Sequence, residues 1–250
     1  MIREVTPSEA TQVFDLMGKV YASHSFLAQG LEAYIGQLEA GRYVSLGKFD
    51  GKDLQAHAGF RVARDFALIN ALVVDPGTRG SGLGRAIFDT RMNYIKSNHS
   101  FDFVVGYSMM QHLRSQSLYA EGFKPIGLDI GYPDIYHQSD SEYNRGMASN
   151  AELVLCQRLS DRKYPVELSV ASRSQKLAGR ILETMGVDYQ FTNRGAEPSD
   201  SEIFLGFHPD TERGLFTPAY LEETATVDFA PLLASNQERQ NFVDVIKGQI

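Results

Sequence analysis

The stretch that most restricts this chain runs from Phe66 to Phe88. A nearly continuous apolar run, Phe66–Val74, stops at Asp75-Pro76-Gly77; Thr78-Arg79-Gly80-Ser81-Gly82-Leu83-Gly84 follows, and then an amphipathic segment reaching Asn98. Such a run, with Asn70 its one polar interior residue, predicts a central strand covered on both faces. Glycines allow positive φ and let the main chain approach a ligand closely. A helix that opens here presents N–H groups without intrahelical acceptors and a partial positive charge, and Arg79 and Arg85 add formal charge. Together these features predict an anion site suited to a pyrophosphate. Two other phosphate motifs fit poorly. A P-loop needs Lys followed by Ser or Thr, where this chain has Arg85-Ala86. A dinucleotide fingerprint needs Gly-x-Gly-x-x-Gly in a first βαβ unit, and Gly80, Gly82 and Gly84 do not supply it.

Upstream, Ile2–Val5 alternates as a short strand. Thr6-Pro7-Ser8-Glu9 has the layout of a capping box that opens a helix with Phe14, Leu16, Met17 and Val20 on its apolar face. Helical spacing from Phe26 to Glu39 predicts a second helix, closed at Gly41. Tyr43–Phe49 and Leu54–Val62 read as strands around an Asp50-Gly51 hairpin turn. After the glycine turn and its helix, Phe101–Met110 reads as a strand, Arg114–Glu121 as a short helix stopped by Gly122, and Phe123–Ile130 as extended.

Residues 131–150 are polar, rich in Tyr, Asp and Ser, and read as a linker. A second unit is expected over 151–250. Its predicted strands are Glu152–Leu159, Val166–Val170, Tyr189–Thr192, Glu202–Phe207 and Thr224–Phe229, with helices at Ser172–Met185 and near Ser235–Gly248 and loops at 193–201 and 208–213.

Composition sets the outer bounds. A chain of 250 residues, 43% hydrophobic and 22% charged, suits one or two globular domains with their own cores. The single cysteine, Cys156, excludes an internal disulfide or a thiolate metal cluster, and no His/Cys/Asp/Glu set has ligand spacing, so no metal is expected. A net charge of −7 argues against a generic nucleic-acid binder. No run approaches the ~18 apolar residues of a membrane-spanning helix. Met1-Ile2-Arg3-Glu4 also lacks a signal-peptide layout, so a cytoplasmic protein without membrane contact is expected.

Arg79-x-x-Gly82-x-Gly84, following Leu72-Val73-Val74-Asp75-Pro76, resembles the acetyl-CoA-binding motif of the GNAT superfamily of N-acetyltransferases. The element order and Tyr119-Ala120-Glu121-Gly122-Phe123 are similar to that family too, over about residues 2–130. The resemblance implies an α/β fold of the α+β type: a mixed, mostly antiparallel sheet flanked by helices. A smaller second α/β domain would follow, of unassigned role or a degenerate GNAT-like half. It implies an N-acyltransferase that moves acetyl from acetyl-CoA to a primary amine, on a small molecule or a peptide, by direct attack in a ternary complex. The alternatives are a longer acyl-CoA, carrier-protein or aminoacyl-tRNA donor, and, in another class, a non-catalytic CoA-binding module. The second domain could complete the acceptor pocket or form a homodimer.

The same resemblance implies roles for particular residues. Pyrophosphate would sit on the backbone N–H groups of Gly80, Ser81, Gly82, Leu83 and Gly84, beside Arg79 and Arg85. Leu72, Val73 and Val74 would run beside the pantetheine arm. Ser115 and Gln116, in His112-Leu113-Arg114-Ser115-Gln116, would touch pantetheine or acceptor.

Acyl transfer needs a neutral amine, whose solution pKa is near ~10.4 for a lysine-like group, so a base or a water chain helps. It also needs a donor near the developing oxyanion and a proton for the leaving thiolate. Tyr119 is the candidate acid. It stands three residues before Gly122, where the family's common spacing is four, so a packing tyrosine is the alternative. His112 is a candidate base or a helix cap. Tyr21 and His24, between the first two helices, and Asn70 are acceptor-side candidates, with ordinary solvated positions as the alternative. His57 is expected to be a satisfied, partly buried histidine. Arg91, Lys96 and Lys124 are expected on solvated faces. Tyr132, Tyr136 and Tyr143 either line a substrate mouth or pack.

Overall fold

The computed structural model describes residues 1–21, 25–109, 113–132, 150–161, 166–168, 170, 172–192, 202–210 and 215–222. Packing divides them into two units, residues 1–101 and residues 102–132 with the segments from 150 onward.

The first unit opens on β1 (Ile2–Glu4) and a single 3-10 turn, Pro7–Glu9. The Glu9 carboxylate accepts from the Thr6 N–H at 3.0 Å and from the Arg3 guanidinium at 2.6 and 2.9 Å. The turn then runs into α1 (Ala10–Val20). The one helix expected over Phe26–Glu39 is two, α2 (Ser25–Ala28) and α3 (Leu31–Glu39). Gly30, at φ 85°, breaks the helical path between them.

Strands β2 (Tyr43–Asp50), β3 (Asp53–Val62) and β4 (Phe66–Val74) follow, in the antiparallel order β1-β2-β3-β4, and α4 (Leu83–Asn98) completes the unit. The period of two in a strand, with both faces covered, explains why β4 is apolar along its length apart from Asn70. Val73 packs with Val13, Met17, Phe26, Tyr34 and Tyr43 on the side of α1 to α3. Leu72 and Val74 join Ala56, Ala58, Leu83 and Ile87 on the side of α4.

The second unit holds β5 (Phe103–Met109), α5 (Leu113–Tyr119), β6 (Lys124–Tyr132) and β7 (Asn150–Arg158), with strand order β5-β7-β6. The strand expected to open a separate C-terminal domain is therefore a partner of the earlier ones. Cys156 faces Val105 on one side and Lys124 on the other. A division at residues 131–150 is not where the packing divides, because β7, with its apolar Leu153-Val154-Leu155, supplies the ladder partner of both β5 and β6.

Beyond β7, β8 (Val166–Leu168) and β9 (Tyr189–Phe191) pair in parallel around α6 (Gln175–Met185). Helix α6 ends at Gly186, φ 68°, with Val187 N–H donating to the Leu182 carbonyl at 2.9 Å.

Next, β10 (Glu202–Asp210) and β11 (Leu215–Glu222) form an antiparallel pair. Residues 208–210, expected in a loop, are strand, and β11 had no counterpart in the sequence reading. Pro209 and Pro218, facing Phe216 and Phe207, obscured the strand signal. β10 crosses β6 where Gly206 lies against Gly127, with Phe207 fully buried. The expected elements at Thr224–Phe229 and Ser235–Gly248 lie outside the described residues. The architecture is the expected mixed α/β one: strands β1 to β7 are mostly antiparallel and flanked by helices.

Glu9 carries an acid dependence. The Arg3 guanidinium first, and the Thr6 N–H second, hold its pKa at about 2 against an ordinary 4.5. Between those values the unfolded chain binds the proton and the folded chain does not. The stabilisation is therefore complete above pH 4.5 and is lost as pH falls toward 2. In urea unfolding, the stability difference between wild type and Glu9→Gln should shrink steadily from pH 5 to about pH 2.5.

Candidate functional site

The glycine turn is built from its flanks inward. β4 ends at Asp75, whose Oδ1 accepts from the Gly77 N–H at 2.9 Å and whose Oδ2 meets Lys19 Nζ at 3.3 Å. The Gly77 hydrogen bond, more than Lys19, keeps the Asp75 carboxyl below the ordinary range. One 3-10 turn, Pro76–Thr78, lifts the chain off the strand, and the Ser81 hydroxyl donates to the Thr78 carbonyl at 2.7 Å.

Gly80 and Gly82 then take φ values of 84° and 80°, and Gly82 is the residue that precedes α4. Its position has no side chain to cap the helix. The first intrahelical bond is from the Ala86 N–H to the Gly82 carbonyl at 3.1 Å. The N–H groups of Leu83 and Gly84 thus have no acceptor within the helix. They lie in a segment whose neighbours Arg79, Gly80, Ser81, Gly82 and Arg85 are exposed. Arg85 also pairs with Asp89 one turn on, at 3.0 Å. Main-chain donors, a helix dipole and two arginines thus lie on one short exposed stretch, a combination whose chemistry suits an anion.

Leu72, Val73 and Val74 lead straight into that turn. Their side chains belong to the two apolar clusters on opposite faces of β4. Close to them, β4 carries a bulge. His57 pairs with Val73 and Gly59 with Asn70, so Ala71 and Leu72 both stand opposite Ala58. Ala71 has φ 47°, a left-handed value that alanine seldom adopts.

The polar interior around this bulge was only partly foreseen. His57 is fully buried, with Nδ1 2.8 Å from the Ala71 carbonyl and Nε2 2.6 Å from Ser45 Oγ. Burial is the main reason its pKa falls to about 4, so the ring is neutral. This agrees with the expected satisfied histidine, although it is wholly rather than partly buried.

Asn70 accepts from the Tyr43 hydroxyl at 2.7 Å; Gly59 makes room for that hydroxyl, since a Cβ there would collide with it. Arg91 corrects an expectation. It is 1% exposed, and Nη1 donates to the Gly59 and Asn70 carbonyls at 3.2 and 3.1 Å. The signal was present in its spacing: Ile87, Phe88, Arg91, Met92 and Ile95 are the buried stripe of α4.

Other candidates are distributed as follows. Tyr21 caps the C-terminus of α1 and packs at the margin of the helical core. Ser115 and Gln116 lie half-buried on α5, in the second unit. Tyr119 ends α5, buried, its ring 4.9 Å from Phe123 and its hydroxyl 3.4 Å from the Tyr107 carbonyl. His24, His112, Tyr136 and Tyr143 lie outside the described residues, as does the side chain of Tyr132.

Cys156, expected outside the motif region, sits buried in β7, and burial pushes its thiol pKa up. Glu152 was missed altogether. It faces Asp129 across the strand pair, and burial first, then the Asp129 charge, raises its pKa to about 7. Among the described residues no three His, Cys, Asp or Glu side chains come together to hold a metal, and no helix is long and apolar enough to cross a membrane.

This arrangement of strands, glycine turn and helix is the fold of the GNAT N-acetyltransferases. The ribosomal-protein-S18-alanine N-acetyltransferase of Escherichia coli superposes with a TM-score of 0.53 at 15% identity, over 65% of this chain and 95% of that one. A variant of the spermidine N-acetyltransferase of Vibrio cholerae does so with a TM-score of 0.50 at 13% identity, over 64% of this chain and 95% of that one. No protein-family model matches the sequence, and no curated protein matches it. At these identities the likeness is one of fold.

Arg91 offers a direct test of the polar interior. Arg91→Leu removes a donor from two carbonyls beside the bulge and should destabilise the chain by about 1–3 kcal/mol. Chemical denaturation reads that loss; Lys96→Leu, on the solvated face of the same helix, should change stability by less than about 0.5 kcal/mol.

Proposed function

We propose that this protein is an acetyl-CoA-dependent N-acyltransferase acting on a primary amine of a small molecule or peptide. The observation that carries the reading is the turn from Arg79 to Arg85. Gly80 and Gly82 hold positive φ, and the N-terminus of α4 is left uncapped by any side chain of the turn. It stands on a fold shared with N-acetyltransferases. Acetyl-CoA would supply the activated thioester. The main chain of residues 80–84 would bind its pyrophosphate, with Arg79 and Arg85 adding charge. The main chain of Leu72–Val74, its side chains already committed to core, would orient the pantetheine arm.

Direct attack by the amine fits the state of the lone cysteine. Cys156 is buried and its thiol is held well above the ordinary range, so it is a poor candidate for a covalent carrier. Tyr119 is the proposed thiol partner, and His112 the proposed base. Ser115 and Gln116 are proposed contacts for pantetheine or acceptor; Tyr21, His24 and Asn70 are proposed for the acceptor side.

Gly84 gives the cleanest test. A Cβ built there meets only Val74 Cγ2, at an ordinary 3.6 Å, and the residue does not have positive φ. Gly84→Glu should therefore fold while placing a carboxylate in the anion cradle. Calorimetric titration with CoA should show affinity at least about 100-fold weaker than wild type, equivalent to about 2.7 kcal/mol. Near-native affinity in a folded Gly84→Glu protein would remove the pyrophosphate assignment.

A further inference from the structure

We propose that His57 is a positioning residue for acyl transfer, acting by clamping the bulge of β4; the proposal rests on the acetyl-CoA reading above. A carbonyl oxygen can only accept, so the 2.8 Å contact between His57 Nδ1 and the Ala71 carbonyl puts the ring's hydrogen on Nδ1. In the neutral ring Nε2 must then accept, and the Ser45 hydroxyl donates to it at 2.6 Å. Ser45 Oγ in turn accepts from the Tyr34 hydroxyl at 2.8 Å. All three side chains are buried: Tyr34 and His57 at 0% and Ser45 at 2% exposure. The chain of donors runs one way, from Tyr34 through Ser45 and His57 to the carbonyl of Ala71.

What it holds is a strained place. Ala71 has φ 47°, where a β-carbon is unwelcome, and it is the one residue other than glycine with positive φ among the described residues. The neighbouring carbonyl, that of Asn70, is held by Arg91 at 3.1 Å. Two successive carbonyls of β4 thus bond to buried side chains. Without those bonds, β4 could relax toward a regular ladder. Removing the extra residue of a bulge shifts register by one and turns every later side chain to the other face. Val73 would exchange faces with Leu72 and Val74, the residues whose main chain is proposed to orient the donor. Strain that is maintained by a dedicated buried network, immediately before the binding segment, is a geometry kept for use.

Two substitutions separate the clamp from ordinary packing. In His57→Asn the amide nitrogen can take the place of Nδ1 and keep the bond to Ala71. In His57→Gln the amide reaches the place of Nε2 and keeps only Ser45. Both lose one buried hydrogen bond and should show similar falls in Tm. His57→Gln should raise KM for acetyl-CoA at least about tenfold, whereas His57→Asn should stay within about threefold of wild type. Adding Ala71→Gly to His57→Gln should recover at least about threefold, because glycine holds the bulge without strain.

Amide hydrogen exchange at residues 71–73 is read in parallel and needs no donor: faster in His57→Gln, unchanged in His57→Asn. Equal kinetics and equal exchange in the two variants overturn the proposal. If wild type transfers acetyl to no amine, the acyltransferase reading falls, and the exchange comparison alone decides the clamp. If His57→Gln does not fold, Ser45→Ala replaces it; that change removes the partner of Nε2 but keeps the Nδ1 bond to Ala71, so exchange at residues 71–73 should stay as in wild type, and faster exchange there overturns the proposal.

Discussion

Everything in the first unit depends on how α4 leaves the end of β4. Gly82 turns the chain in the left-handed region at φ 80°, so the helix comes back along the strands it has just left. Leu83 and Ile87 then pack on Leu72, Val74, Ala56 and Ala58, and Gly84 passes 3.6 Å from Val74. A side chain at Gly82 would strain that turn by about 1–2 kcal/mol. One constraint has two results: the helix packs closely, and its first N–H groups receive no side-chain cap from the turn. The same glycines that solve a packing problem leave main-chain donors without a side-chain cap, the feature on which the proposed anion site rests.

The interior behind the turn is unusually polar for a core. Tyr34, Ser45, His57 and Arg91 are all buried and all aimed, directly or through one another, at the carbonyls of β3 and β4. Buried polar groups are costly unless hydrogen-bonded, and burying an ionised imidazole costs more still. His57 avoids that penalty by staying neutral, its pKa lowered to about 4 chiefly by burial. Leucines at these positions would fill space but hold no carbonyl. The network specifies one backbone path at Ala71 where an apolar core would allow several.

Much of the first unit was legible because its signals are local. The capping pair Thr6 and Glu9, the Asp50-Gly51 hairpin, the two-sided apolar run of β4 and the glycine turn all work over a few residues, and each stands where expected. Non-local facts were hidden. The helix over Phe26–Glu39 had a continuous apolar spacing, but Gly30 breaks it. Arg91 looked like a solvated charge until two strands brought carbonyls to it. Glu152, set in an apolar strand, acquires its raised pKa first from burial in the packed sheet and then from Asp129, which β6 brings opposite.

By itself, then, the sequence determined that an uncapped helix would open on glycines directly after a buried strand. That chemistry is written in residue types and short spacings: glycine for the turn, proline to end the strand, arginine for charge. Only the tertiary structure decided that β7 sits between β5 and β6, that Ala71 is strained, and that His57 and Arg91 hold two successive carbonyls of β4. Those outcomes depend on which strands meet and in what register, and register is set by pairing across many residues rather than by any neighbour in the chain.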